Sequence, residues 1–181
     1  MQGTKHRTYN ICLCGLFAAL CAVLSWFPIP IAPVPVTLTH IPIFLAAGLL
    51  GPWYGALSVT VFVAMGAAGL PVFTGFSGGL GVVLGPRGGY ILGYIATAFV
   101  TGLVRRRLGT KTPALVIAML AGWACTYGLG VPWFMLSQKV TLAQAVIPCF
   151  VIFIPGDAVK TALCAALIGK LSRIYPSSIM P

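Results

Sequence analysis

One carboxylate serves the whole chain. Asp157 is its only acidic residue, and Lys160 follows three positions later in the run Ile-Pro-Gly-Asp-Ala-Val-Lys-Thr. On a helix that spacing puts both side chains on one face, close enough to pair. The run is otherwise apolar, and a charged group at the centre of a bilayer costs roughly 2.5–3.5 kcal/mol on insertion scales. Two compatible readings are open. The pair is a structural ion pair that neutralises itself, or it is one corner of a polar ligand site, because intramembrane ionisable groups usually face a cavity. Arg87 supplies a further cation in the segment Gly69–Tyr90, where it could reach an anionic ligand or a lipid headgroup.

Other residues bear on the same chemistry. The segment Gly69–Tyr90 is very rich in glycine, which lets backbone approach a ligand and adopt positive φ. It is too long and apolar for a plain turn, so it reads as a lid or re-entrant loop, with a passive linker as the alternative. Trp123 and Tyr127 are four apart and share a helix face, either packed between helices or lining a pocket with their polar tips. His40, alone in an apolar stretch, reads as a packed, hydrogen-bonded histidine rather than a ligand. Ala18 and Ala22, with Gly15 and Ala19 as a second small pair, would let another helix approach closely.

Several classes of chemistry are excluded. One carboxylate cannot form the paired or metal-binding carboxylates that most intramembrane enzymes need. The six cysteines, Cys12, Cys14, Cys21, Cys125, Cys149 and Cys164, lie in apolar runs without metal-site spacing and read as small buried hydrophobes. No Gly-x-x-x-x-Gly-Lys-Ser/Thr run occurs, so any ATP-driven work belongs to another subunit. No cofactor is expected.

The elements that position these residues are membrane helices. Hydrophobic residues make up 59% of the 181 positions and charged residues 7%, and the mean hydropathy is +1.03. These values define an integral membrane protein, here one domain over residues 1–181. A spanning helix needs roughly 20 apolar residues. On that rule spans fall near 9–27, 36–51, 54–70, 89–104, 113–134 and 142–172, the last kinked or broken at Pro148 and Pro155-Gly156. The net charge of +10 is then a matter of topology, not of nucleic acid. Lys5 and Arg7, then Arg105–Arg107 with Lys111, then Lys170 and Arg173 all fall on one side of a six-span chain. That side is expected to be cytoplasmic, with both termini on it. The glycine-rich loop, between helices 3 and 4, then lies outside. At ~1.5 Å per residue, Lys160 lies about 15 Å in from Lys170, with Asp157 nearly one turn closer to the outside.

Taken in order, a set of short motifs resembles the biotin-specific substrate-binding subunits (the BioY family) of energy-coupling-factor transporters. They are Pro33-Val-Pro-Val-Thr37, Gly48-Leu-Leu-Gly-Pro52, Gly69-Leu-Pro-Val-Phe73, Gly78-Gly-Leu-Gly81, Gly85-Pro86 with Gly88-Gly-Tyr90, Gly130-Val-Pro-Trp133 and Pro155-Gly-Asp-x-x-Lys160. The resemblance covers nearly the whole chain. It implies an all-α, six-helix capture subunit in the bacterial inner membrane. It also implies partners, a transmembrane coupling protein and two ATPase subunits, with the Ala18/Ala22 pair matching the motif that faces the coupling protein. Biotin's carboxylate would meet Lys160 or Arg87, and its ureido N–H groups would meet ionised Asp157. Its rings and tail would meet Phe73, Tyr90, Trp123 and Tyr127, with Ser77, Gly78 and Gly79 of the loop closing over them. Arg87 enters on its chemistry alone. Alternatives are a sister subunit for thiamine or riboflavin, or a stand-alone carrier or channel. A competition panel and uptake in cells lacking the coupling module would separate these.

Overall fold

The structure is a computed structural model that describes residues 2–28, 37–149 and 151–174. Positions 33–36 of the Pro33–Thr37 motif, and the Cys149 side chain, lie outside what is described. Among the described residues the chain is helical: α1 (Gln2–Ser25), α2 (His40–Ala67), α3 (Leu80–Leu84), α4 (Gly88–Leu108), α5 (Thr112–Gln138), α6 (Leu142–Cys149), a 3-10 turn (Val151–Phe153) and α7 (Ile154–Ile174). Arg7–Ser25, α2 and α5 are long and apolar enough to cross a membrane.

The expected spans 36–51 and 54–70 both fall in α2, which reverses direction at Gly51-Pro52. Gly51 has φ 78° and ψ −174°, a conformation open to glycine and strained for other residues. In a continuous helix Ala47 and Gly55 would lie about 12 Å apart. Instead, a Cβ on Gly55 would come within 2.8 Å of Ala47 Cα, so the two halves fold back against each other. Gly102 of α4 seats this turn, since a Cβ there would lie 2.6 Å from Pro52 N. Glycine at one position of each contact, Gly55 against Ala47 and Gly102 against Pro52, permits these approaches.

Small residues also set the α1–α2 packing. Ala18, Cys21 and Ala22 are buried against Ile43, Ala47, Val59 and Phe62. This corrects the reading of Ala18 and Ala22 as a partner face: they are 1% and 7% exposed and belong to the core. The outward face of α1 carries the other small pair, Gly15 and Ala19, both exposed, and a Cβ on Gly15 would meet nothing within 4 Å among the described residues. Lipid and protein core are equally apolar, so the α1 sequence does not say which alanines face inward. The cysteines divide similarly. Cys14, Cys21 and Cys164 are buried, Cys125 is half-buried, and Cys12 is exposed rather than buried.

Two helix ends differ from expectation. Gly130-Val-Pro-Trp133 does not end a span, because α5 runs through Pro132 to Gln138. A proline forfeits one helical hydrogen bond, which membrane helices tolerate when neighbours compensate. The expected span 142–172 breaks into α6, the 3-10 turn and α7. Pro155 then sits in the first turn of α7, where its missing N–H costs nothing. Asp157 shares that turn, where the helix dipole favours a carboxylate.

Candidate functional site

The beginnings of α2, α4 and α7, the middle of α5 and the loop after α2 converge on one cavity. Its lining includes Arg87, Phe73, Ser77, Tyr90, Trp123, Tyr127, Asp157 and Lys160. The structure thus brings eight of the sequence-derived site residues together. Gly78 and Gly79 are not in the lining. A Cβ on Gly78 would lie 2.3 Å from the Leu70 carbonyl, and Gly79, at φ 98°, donates to the Gly66 carbonyl at 2.7 Å. Their role is to close the loop on itself and on α2.

At the centre is the pair from α7. Lys160 Nζ lies 3.1 Å from Asp157 Oδ1, and the two side chains are 6% and 9% exposed. Tyr127, on α5, donates its hydroxyl to the other carboxylate oxygen, Asp157 Oδ2. Both oxygens are therefore engaged, one by a cation and one by a neutral donor. Breaking a buried pair costs about 3–5 kcal/mol, because an uncompensated charge is left behind. Asp157 and Lys160 accordingly hold each other while both face the cavity.

Aromatic rings build the wall. Trp123 and Tyr127 stack at 5.8 Å between centroids and 22° between planes. Lys160 Nζ sits 5.6 Å from the Trp123 ring centroid, within cation–π range. Trp123 Nε1 donates to Thr161 Oγ at 3.0 Å, which fixes the indole against α7. Tyr90 meets Tyr127 edge to face at 6.4 Å. Gly130 makes room for Tyr90, since a Cβ there would lie 2.4 Å from that ring.

The loop after α2 roofs the cavity with Phe73, Thr74 and Ser77. An isolated bridge joins Phe73 and Ser77, with Phe73 N donating to Ser77 O at 2.9 Å. The tip between them turns through Gly75 and Phe76, at φ 73° and 57°. The Phe73 ring rests on Gly66, where a Cβ would lie 2.1 Å away, and meets Phe62 edge to face. The end of α1 holds the loop from outside. Trp26 Nε1 donates to the Pro71 carbonyl at 2.8 Å, and the Trp26 ring stacks on Phe76 at 5.0 Å. The Ser25 hydroxyl reaches the Val72 carbonyl. Arg87 stands exposed at the rim, immediately before α4.

Sequence reasoning missed several lining residues: Ser25, Thr37, Thr39, His40, Tyr94 and Thr126. His40 is packed and hydrogen-bonded, as expected, but it also faces the cavity. Its ring lies 4.1 Å from Trp123 and 4.9 Å from Tyr94, and Nε2 is 3.3 Å from Thr126 Oγ. Thr126 carried no local signal, because its partners His40 and Thr97 lie 86 and 29 positions away.

A helical membrane protein with a polar, aromatic-walled cavity under a glycine-hinged loop is a small-molecule-binding protein of the bilayer. The chain belongs to the BioY family, whose model matches residues 1–177. It is 38% identical to a biotin transporter BioY of Rhodobacter capsulatus, over 94% of this chain and 97% of that protein. It is 40% identical to a biotin transporter BioY of Thermotoga maritima, over 88% of this chain and 94% of that protein. The fold matches the crystal structure of the S-component for biotin from an ECF-type ABC transporter with a TM-score of 0.84 and 33% identity. That match covers 95% of this chain and 93% of the other.

Proposed function

We propose that this chain is the biotin-capturing membrane subunit of an energy-coupling-factor transporter. The observation that carries the reading is the composition of one cavity. Lys160 and Arg87 offer cations for a carboxylate, Asp157 and neutral polar groups offer acceptors, and Phe73, Tyr90, Trp123 and Tyr127 offer an apolar wall. Biotin presents an anionic tail, two ureido donors and a compact ring system, and each finds a counterpart. The relatives named for biotin transport support the choice of this vitamin over thiamine or riboflavin.

Six helical segments cross the bacterial inner membrane in this reading, α2 contributing two, with both termini cytoplasmic and the cavity facing outward. The basic clusters at Arg105–Arg107 and Lys170 support that orientation. Biotin enters from outside, the loop Gly69–Gly79 closes over it, and a coupling protein with two ATPase subunits drives inward release. The exposed Gly15–Ala19 face of α1 is the surface on which the coupling protein docks, since small residues let helices approach closely. Biotin titration of the purified chain, read through tryptophan emission, tests the assignment. Saturable binding is expected, because Trp123 lines the cavity. Its absence would sink the proposal.

A further inference from the structure

A buried chain of hydroxyls fixes the state of His40. Thr97 and Thr126 are 0% and 1% exposed, so their hydrogens are directed within the protein. Thr97 Oγ lies 2.9 Å from the Gly122 carbonyl, which can only accept, so the single Thr97 hydroxyl hydrogen points there. Thr97 Oγ and Thr126 Oγ are 2.6 Å apart, and with the Thr97 hydrogen committed, Thr126 is the donor. Thr126 then has only lone pairs to offer His40, so His40 Nε2, 3.3 Å away, carries the hydrogen and donates. The only carboxylate in the chain, Asp157, is already engaged by Lys160 and Tyr127, so no counter-charge supports an imidazolium. The ring is neutral, with its hydrogen on Nε2 and a lone pair on Nδ1. Among the described residues no hydrogen bond is made to Nδ1, while the ring lines the cavity.

We infer that His40 is a specificity-determining residue whose Nδ1 accepts a hydrogen bond from a ureido N–H of biotin, and that Thr126 and Thr97 hold it in the accepting tautomer. The inference rests on biotin being the ligand. It fills a gap in the site. Each Asp157 oxygen already has one donor, so Asp157 can serve one ureido N–H with its remaining lone pairs, and His40 Nδ1 gives the second an acceptor. A buried ligand N–H left without one forfeits much of the affinity its rings would gain. The Trp123 face, 4.1 Å from the imidazole, and the Tyr94 edge fix the plane in which the lone pair lies. Thr97 does not line the cavity, so its influence on the ligand would pass through the tautomer of His40.

The test uses the full chain in nanodiscs with 15N-labelled histidine. His6→Gln leaves His40 as the only histidine of the two in the sequence. The expected spectrum has a protonated Nε2 and an unprotonated Nδ1, and saturating biotin shifts the Nδ1 resonance alone. Thr97→Val frees the Thr126 hydrogen to turn toward Nε2. It is expected to move the proton to Nδ1 and to weaken biotin binding about tenfold, the scale of one unsatisfied buried group. Thr97→Ser is expected to restore both. His40→Phe keeps the stack on Trp123 and removes the nitrogens. It is expected to abolish the wild-type preference for biotin over a ureido-N-methylated analogue. A wild-type Nδ1–H tautomer, or a Thr97→Val chain with unchanged spectrum and affinity, overturns the inference. Saturable biotin binding with an unmoved Nδ1 resonance overturns this contact alone, whereas no biotin binding overturns the ligand assignment with it.

Discussion

Tyr127 donates to the Asp157 oxygen that Lys160 does not take. The two donors come from different helices, so the carboxylate ties α5 to α7 at the level of the cavity. Removing the tyrosine donor and removing the accepting carboxylate have different physics. Tyr127→Phe deletes a hydrogen bond to a charged group, about 1.5–3 kcal/mol at most, and leaves the ion pair standing. Asp157→Asn leaves Lys160 buried without its counter-charge, a cost of about 3–5 kcal/mol.

Tyr127→Phe is therefore expected to weaken biotin binding by about tenfold while lowering the melting temperature only slightly. Asp157→Asn is expected to reduce both together. Lys160→Ala likewise leaves Asp157 buried without its counter-charge, so it should lower the melting temperature too, and it should weaken biotin more than biotinamide, which lacks the carboxylate. Titration of the three variants with both ligands, alongside thermal melts in detergent, separates ligand contact from structural support. Equal losses for biotin and biotinamide in Lys160→Ala would mean that the lysine does not meet the carboxylate.

The pair and the Trp123–Tyr127 wall were legible in the sequence because helical spacing of three and four is a local signal. The reversal at Gly51-Pro52 was legible as a gap between two short apolar runs. What could not be read is which side of an apolar helix faces inward. In water, polarity marks the outer face. In lipid, Ala18 and Ala19 look alike, yet one is core and the other surface. His40 was legible as a packed, hydrogen-bonded histidine but not as a cavity residue, because its partner Thr126 is 86 positions away. The glycines of the loop were legible as a group, but Gly78 and Gly79 serve backbone closure rather than ligand approach.

The loop roof should be a timed latch. Phe76 holds φ 57°, a strain of about 1–3 kcal/mol for such a residue. Its ring stacks on Trp26, a contact of about 0.5–1.5 kcal/mol, and Trp26 also holds the Pro71 carbonyl. The two terms are comparable, so losing the indole is enough to release the turn. Trp26→Ala is expected to raise the biotin dissociation rate about tenfold with little change in association, measured by chase of radiolabelled biotin. Trp26→Phe, which keeps a stacking ring, should lie between. An unchanged dissociation rate in Trp26→Ala would remove α1 from control of the loop.

Gly66 offers a steric test of the same roof. The Phe73 ring occupies the space a Cβ on Gly66 would need, at 2.1 Å, and Gly66 itself is held in α2. Gly66→Ala must therefore lift Phe73 and the loop that carries it. Expected results are a tenfold or greater loss of biotin affinity and faster proteolysis within 69–79, with α2 itself intact because alanine is the better helix former. Wild-type affinity in Gly66→Ala would show that the roof adapts without cost to the ligand.

The outward small face of α1 separates capture from transport. Gly15 and Ala19 are exposed, and among the described residues nothing occupies the space beside Gly15. Leucine at Gly15 or Ala19 would leave the core untouched but would hold a partner helix away. Both variants are expected to bind biotin like wild type and to lose biotin uptake in cells that supply the coupling protein and ATPases. Ala18→Leu is the contrasting case. Ala18 is 1% exposed among Ile43, Ala47 and Val59, so the added bulk overpacks the core by about 1–3 kcal/mol. It should lower the melting temperature and biotin binding together. Pull-down of the coupling protein by each variant, set beside binding and uptake, gives the decision. If Gly15→Leu and Ala19→Leu retain both the coupling protein and uptake, the docking surface lies on another helix. Loss of coupling in these two variants with capture intact would instead place partner recognition on one face of α1, while its opposite face and its C-terminal end serve the core and the loop.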